Sequence, residues 1–257
     1  MRKYLQNERG NIMLLSICLM GVLVVMFLML TSFVKAFYIK DKASSAAEQA
    51  SLAATAYVYQ KVDEAIKEID QRFLLELGSV TVETEGTAPE EAEEAPAPAG
   101  GSSAEVDVTL GKKRLADQID KQKQKILASS SKYTPNEARI EAIDEVLSKE
   151  LQRGGPRQAI VKDELINALD DNGAIEGLLQ TVSDVIEENG GTTAGSEVHY
   201  FNGDERIEIQ TSSTYKPTIF ENLFSEEGIE VKQTGEGPKV GFIKHLDGFQ
   251  SQPYIIE

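Results

Sequence analysis

Residues 12–34 form a run of 23 uncharged residues, IMLLSICLMGVLVVMFLMLTSFV, and this run constrains the chain more than any other feature. As a helix rising about 1.5 Å per residue, it would be about 34 Å long. That length exceeds the roughly 30 Å hydrocarbon core of a bilayer. Because backbone polar groups in lipid need partners within their own segment, such a run is helical. The sequence therefore predicts one transmembrane helix that tethers the rest of the chain.

Three kinds of processed leader fit the run less well. A cleaved secretory signal has an apolar region of only about 7 to 15 residues, although Val34-Lys35-Ala36 is an acceptable cleavage pattern. A lipoprotein signal places a small residue before its cysteine, and here Ile17 precedes Cys18. A prepilin signal places Glu five residues after Gly10, where this chain has Leu15. We therefore expect an uncleaved signal anchor.

The basic residues that flank the run do not decide its orientation. Three lie on each side: Arg2, Lys3 and Arg9 before it, and Lys35, Lys40 and Lys42 after it. The positive-inside comparison is therefore a tie. The short leader, residues 1–11, and the much longer remainder favour an ordinary signal anchor with the large part outside the cell.

The chain's charge and cysteine content exclude several classes of partner and bond. A net charge of −16 argues against nucleic acid as a partner. The same charge argues against electrostatic adhesion to anionic lipid headgroups. Because Cys18 is the only cysteine, no intramolecular disulfide can form. An exported domain without disulfides fits a bacterium with one membrane better than an oxidising secretory pathway.

Residues 35–78 are expected to continue the membrane helix outward, because Pro and Gly are absent until Gly78. Small and apolar side chains recur at helical spacing along this segment. They form an alanine-rich face: Ala43, Ala46, Ala50, Ala53 and Tyr57. Two interpretations stay open. The face could be an assembly surface for another protein or a second copy, or it could pack on the chain's own globular domain.

The amino end resembles a known family. The leader ends in Glu8, Arg9, Gly10 and Asn11, the apolar run follows, and residues 41–54 read DKASSAAEQASLAA. Over residues 8–60 this order resembles the TadE/TadG-like proteins of Tad (Flp) pilus assembly. The missing Glu after Gly10 favours the unprocessed, TadG-like branch. The resemblance implies an amino terminus in the cytoplasm.

Residues 83–103, ETEGTAPEEAEEAPAPAGGSS, are predicted to be a disordered acidic linker, because the segment has no large apolar side chain to bury. Short alternating runs on either side could pair as two strands. They are Val80 and Val82 before the linker, and Val106, Val108 and Leu110 after it.

Residues 104–191 are expected to form a helical subdomain. A polar helix is predicted over residues 112–131, and Thr134-Pro135-Asn136-Glu137 has the pattern of a capped helix start. The second helix has a predicted core stripe of Ala138, Ile140, Ile143, Val146, Leu147 and Leu151, and Gly154-Gly155 ends it. Pro156 opens a third helix, which Asn172-Gly173 is expected to close. A fourth ends at Asn189-Gly190-Gly191.

Residues 196–257 change to a two-residue period and are expected to form an antiparallel β region. One hairpin is predicted around Asn202-Gly203, and a second joins residues 229–232 to residues 240–243. Pro217 is expected to end a strand, and residues 219–224 to form one helical turn. The stretch from Tyr215 to Phe220 also resembles the distal part of TadE/TadG-like proteins. Helices followed by strands make the fold class α+β.

The sequence contains no recognisable catalytic or metal-binding constellation. His199 and His245 are the only histidines, and one membrane-buried cysteine cannot complete a zinc site with them. The stretch around Asp170 and Asp171 lacks calcium-loop ligands at the first and twelfth positions. No phosphate loop or nucleophile motif occurs. We expect neither enzymatic activity nor a cofactor.

The sequence is best interpreted as a membrane-anchored, pilin-like structural or accessory component of a bacterial Tad/Flp-type pilus assembly or secretion system. The alternative is a single-span envelope binding or sensor module with an extracellular α+β domain. Expected partners are the lipid bilayer and proteins of a pilus or secretion apparatus, with self-association through the alanine-rich face and no nucleic acid. The expected location is the cell membrane, as a single-pass protein.

Overall fold

The computed structural model describes residues 8–77, 114–216, 228–246 and 253–257. These residues form five helices: α1 (Glu8–Arg72), α2 (Leu115–Ser129), α3 (Pro135–Gln152), α4 (Pro156–Asp170) and α5 (Asn172–Glu188). Four strands follow: β1 (Thr192–His199), β2 (Glu208–Tyr215), β3 (Ile229–Glu236) and β4 (Pro253–Ile255). A π-helical turn (Phe73–Leu77) ends α1, and a 3-10 turn (Ile243–His245) precedes β4. The α+β fold class is confirmed.

Several predictions fall outside the described residues. They are the linker at residues 83–103, the short flanking runs at residues 80–82 and 106–110, and the strand end and helical turn at residues 217–224.

The long helix α1 runs without interruption through the apolar run and the segment after it, for 65 residues. The predicted continuation of the apolar helix through the following segment is therefore confirmed, and its outward direction stays a prediction. From Ala43 onward one face of α1 is buried by the rest of the chain, and this face includes Val62, Ile66, Ile69 and Phe73.

Local sequence signals set the ends of α3 as predicted. The Thr134 hydroxyl accepts from the Glu137 N–H at 3.3 Å, and the Glu137 carboxylate accepts from the Thr134 N–H at 2.8 Å. This capping box satisfies two otherwise unpaired donors. After α3, Gly154 and Gly155 have φ of +78° and +85°, which side chains disfavour. Ile140 was wrongly predicted to be buried; it is exposed, because it faces away from Ala138 and Ala142.

The junction between α4 and α5 differs from the prediction. Asn172-Gly173 does not close α4 but forms the first residues of α5. Asp171 lies between the two helices, and its carboxylate accepts from the Gly173 N–H at 3.1 Å. An Asp that accepts a hydrogen bond in this way is an N-cap, so it begins the next helix at once.

The four strands form one antiparallel sheet in the order β3-β2-β1-β4. The predicted first hairpin is confirmed, with Val198 opposite Ile209. Its connection is longer than a two-residue turn. Within it the Asn202 side chain accepts from the Asp204 and Arg206 N–H groups at 3.0 and 3.1 Å.

The predicted second hairpin is wrong. Residues 240–243 form a turn and the start of the 3-10 turn, not a strand. β3 pairs instead with β2, placing Ile229 opposite Tyr215, while β4 pairs with β1 on the far edge. The reason is burial: the consecutive side chains of Phe242 and Ile243 are both buried in the core, whereas consecutive residues of a strand point to opposite faces of the sheet.

A single hydrophobic core joins α1, the four shorter helices and the sheet. Its largest fully buried side chains include Ile69, Leu115, Leu147, Leu165, Leu178, Ile209 and Phe242. The described helices and strands therefore share one packed interior around the second half of α1.

Candidate assembly surface on the long helix

The first half of α1 exposes its apolar side chains on all sides. Over residues 12–34 the large hydrophobic side chains are 42% to 71% exposed. Among the described residues this is the one helix long and apolar enough to cross a membrane, with a mean hydropathy of 2.9 in its best window. The motif residues Glu8, Arg9, Gly10 and Asn11 are the first residues of this helix.

The alanine-rich face lies mainly against the chain's own domain. Ala43, Ala46 and Ala50 are completely buried within the chain. Ala53 and Tyr57 are half-buried. The first three side chains are therefore not available to a second protein in this conformation. They pack on the chain's own globular domain, which was the second of the two interpretations. The small side chain of Ala46 leaves room for Gly191, just before β1, where an added Cβ would lie 3.1 Å from the Ala46 Cβ atom.

Two glycines of the β3 region closely approach the neighbouring face of α1, at Ala47 and Ser51. A Cβ atom added at Gly235 would overlap the backbone of Ala47 and Glu48, and would lie 2.6 Å from the Ala47 carbonyl oxygen. A Cβ at Gly237 would lie 2.8 Å from the Ser51 carbonyl oxygen. Backbone thus meets backbone along this stretch of α1, and only glycine on the sheet side fits.

Replacing Ala50 by leucine should destabilise the domain by roughly 1 to 3 kcal/mol, because the added atoms have no room. The matched control is Ala56→Leu, on an exposed position of the same helix, which should be nearly neutral because both residues favour helices. Urea unfolding of the detergent-solubilised full chain would measure both. Equal effects would show that Ala50 is not tightly packed.

Polar contacts hold the second half of α1 to the shorter helices. The Arg139 guanidinium lies 2.8 Å from the Asp63 carboxylate, and Arg72 lies 2.7 Å from Glu164. The Asp70 carboxylate accepts from the N–H groups of Leu115 and Ala116 at 2.5 and 3.2 Å, and so caps α2. The Arg139–Asp63 pair is partly exposed and adds little stability. The Asp70 cap is almost fully buried and positions α2 on α1.

A partly buried carboxylate links α1 to the turn before β4. The Asp144 carboxylate accepts from the Tyr59 hydroxyl at 2.9 Å and from the Gly241 N–H at 3.0 Å. Burial raises the pKa of Asp144 to about 6, although these two donors partly oppose the shift. Burial also raises the pKa of the Tyr59 phenol, which therefore stays protonated and donates.

The raised pKa of Asp144 predicts a pH-dependent stability. Between pH 3.8, the ordinary value for Asp, and about pH 6, the folded chain binds the proton more tightly than the unfolded chain. The resulting stabilisation is complete below pH 3.8 and is lost as the pH rises through 6. Its size is about 2 to 3 kcal/mol. Asp144→Asn should remove it, so unfolding of wild type and variant at pH 4 and pH 7.5 gives the comparison. A constant difference between the two proteins would contradict the assignment.

In the second half of α1, the face opposite the alanine-rich face is exposed to solvent. Leu52 is 53% exposed there, beside the exposed residues Glu48, Gln49, Ala56 and Gln60. Together with residues 12–34 it forms a continuous exposed surface, which we call the outer α1 surface. Sequence reasoning did not identify the Leu52 region, because a mostly polar helix face carries no distinctive pattern.

The histidines do not converge on a site. His199 ends β1, and the His245 Nε2 atom lies 2.9 Å from the Gln152 Nε2 atom in another part of the domain. Within the described ranges no three His, Cys, Asp or Glu side chains are grouped so that they could hold a metal ion.

Comparison with known proteins identifies the amino-terminal segment. Residues 10–56 match the family described as putative Flp pilus-assembly TadE/G-like. Searches of curated proteins and of solved structures find no match. The matched segment contains the apolar run and the four alanines of the alanine-rich face, as the resemblance predicted, and ends one residue before Tyr57. The family joins the TadE and TadG types, so assignment to the TadG-like branch stays a prediction, as does the distal resemblance beyond residue 56. The chain therefore carries a TadE/G-like Flp pilus-assembly family domain at residues 10–56.

Proposed function

We propose that this chain is a membrane-anchored, pilin-like structural or accessory component of a bacterial Tad/Flp-type pilus assembly or secretion system. The observation that carries the proposal is the position of the family match on α1. The family match at residues 10–56 covers both the exposed apolar half of α1 and the start of its buried half. Partners within a pilus apparatus follow from the family.

The division of α1 supports the pilin-like part of the proposal. An exposed apolar helix must be covered in the cell, either by lipid or by apolar helices of neighbouring proteins. The rest of the same helix is built into the domain. A helix of this kind carries a rigid domain at a constant distance from whatever covers its apolar end, which suits repeated assembly.

The proposal places the amino terminus in the cytoplasm and residues 35–257 outside the cell, as the family resemblance implies. It assigns no catalytic role, in keeping with a sequence that lacks a nucleophile–base pair. The sensor alternative would share the anchor and the domain but would not require the outer α1 surface to meet pilus proteins.

Retention of the anchor gives a direct test. Mass spectrometry of the protein extracted from membranes should find peptides that precede Ala36, because the apolar run is too long for a cleaved signal. A mature chain starting at Phe37 would contradict the anchor. One starting at Asn11 would show prepilin-type processing instead.

Cross-linking in cells tests the assembly role. Cys18 is the only cysteine, so Cys18→Ser gives a background in which single cysteines can be placed. Leu52→Cys on the outer α1 surface should cross-link to a second copy or to a pilus-assembly protein. The control Lys125→Cys, exposed on α2, should not. Equal cross-linking at both positions, or none at Leu52→Cys, would contradict the proposed role.

A further inference from the structure

The domain begins at the membrane end of α1, not at a distance from it. The Tyr215 hydroxyl, at the end of β2, donates to the Ser32 carbonyl oxygen at 3.2 Å. Ser32 lies inside the apolar run, three residues before Lys35, the first charged residue after the run. Three residues of helix correspond to about 4.5 Å. The end of the sheet therefore reaches the level of the last apolar turn.

The lengths of β3 and α1 independently place the end of the sheet at the level of Ser32. β3 touches α1 at Gly235 beside Ala47 and, just beyond its end, at Gly237 beside Ser51. From Gly235 back to Ile229 is six strand residues, about 20 Å. From Ala47 back to Ser32 is fifteen helical residues, about 22 Å. β3 thus runs alongside α1, and its first residue, which pairs with Tyr215, lies near the level of Ser32.

The side chains at this level suit a membrane–water interface. Phe37 and Tyr38 of α1 are 71% and 63% exposed, and Ile229 at the start of β3 is 43% exposed. Aromatic residues with a polar tip concentrate at the headgroup level of bilayers. Lys35 can extend its charged end outward into the same layer.

Charge does not drive this contact. The described charged residues near this level have both signs, since Lys35, Lys40 and Lys216 are accompanied by Asp41 and Glu230. A contact made by apolar and aromatic groups should therefore form equally on zwitterionic and anionic bilayers.

We infer that the membrane-proximal end of the domain, formed by Tyr215, Ile229, Phe37 and Tyr38, rests in the headgroup layer of the bilayer. The partner is a phospholipid surface. The contact prevents the domain from standing away on a free stalk and holds it in one orientation relative to the membrane. This inference rests on the proposed membrane anchor.

Because the chain contains no tryptophan, a single introduced tryptophan is the only source of tryptophan fluorescence. The full chain is reconstituted into phosphatidylcholine vesicles that contain lipid spin-labelled either at the headgroup or deep in the acyl chain. Ile229→Trp reports the proposed contact. Its control is Tyr133→Trp, at a position of similar exposure, 41%. Tyr133 lies six residues before Arg139, which contacts Asp63, about 46 Å beyond Ser32 along α1. Phe27→Trp reports the anchor itself.

We expect headgroup-labelled lipid to quench Ile229→Trp at least about two-fold more than Tyr133→Trp, with Phe27→Trp quenched by the deep label. Added phosphatidylglycerol should leave the result unchanged. Equal, weak quenching at positions 229 and 133 with a quenched Phe27→Trp would overturn the inference and leave the anchor intact. An unquenched Phe27→Trp would overturn the anchor and the inference with it. A shielded Trp at position 229 that depends on the protein-to-lipid ratio would assign the surface to a second copy and overturn the lipid contact.

Discussion

Gly235→Val is expected to lower the free energy of unfolding of the full chain in detergent by about 3 kcal/mol or more. The first atom of any side chain at this position overlaps the backbone of Ala47 and Glu48 on α1. Backbone cannot rotate away as a side chain can, so β3 would have to separate from the helix. This puts the cost at the upper end of the range for overpacking. Urea unfolding followed by circular dichroism would measure it.

Gly203→Val is the matched control. Gly203 has open space around it, with no heavy atom within 4 Å of an added Cβ and no positive φ. The same substitution there should cost less than about 1 kcal/mol, as is usual at surface positions. A Gly235→Val protein as stable as the control would show that β3 does not lie against α1.

Arg157→Met is expected to cost about 3 to 5 kcal/mol. The Arg157 guanidinium lies 3.0 Å from the Glu150 carboxylate, and both side chains are nearly completely buried. It also covers the ring of Phe73, 3.9 Å from its centre, at the end of α1. Removing the cation leaves the Glu150 charge in the interior with less compensation, and thermal or urea unfolding should report the loss.

Two further variants test whether the cost comes from leaving the Glu150 charge buried without a partner or only from losing an ion pair. Arg153 also contacts Glu150, at 3.0 Å, but is itself 43% exposed, so Arg153→Met should cost only about 1 kcal/mol or less. Combining Glu150→Leu with Arg157→Met removes both buried charges, and should recover much of the loss. A double variant as unstable as Arg157→Met would place the cost in packing around Phe73 instead.

Much of the architecture could be derived from local patterns. The apolar run, the uninterrupted helix after it, the capping box at Thr134 and Glu137, and the stop at Gly154-Gly155 each depend on interactions within a few residues. Such interactions are the same in any tertiary surrounding, so the chain alone determines them. The family resemblance was equally readable, because its motif is contiguous.

Long-range packing decided the rest. Helical periodicity shows that Ala43, Ala46 and Ala50 form one face but not what covers it. The residue that packs on Ala46 proved to be Gly191, well over 100 residues further along the chain, while the β3 region covers the neighbouring Ala47 and Ser51. Strand patterns could not show that residues 240–243 turn inward while three residues near the carboxyl end complete the sheet. The burial of Glu150 and Arg157 was equally invisible, since charged helix residues are normally solvated. Each outcome depends on which distant segments meet, because burial is a property of the assembled chain and not of any one segment.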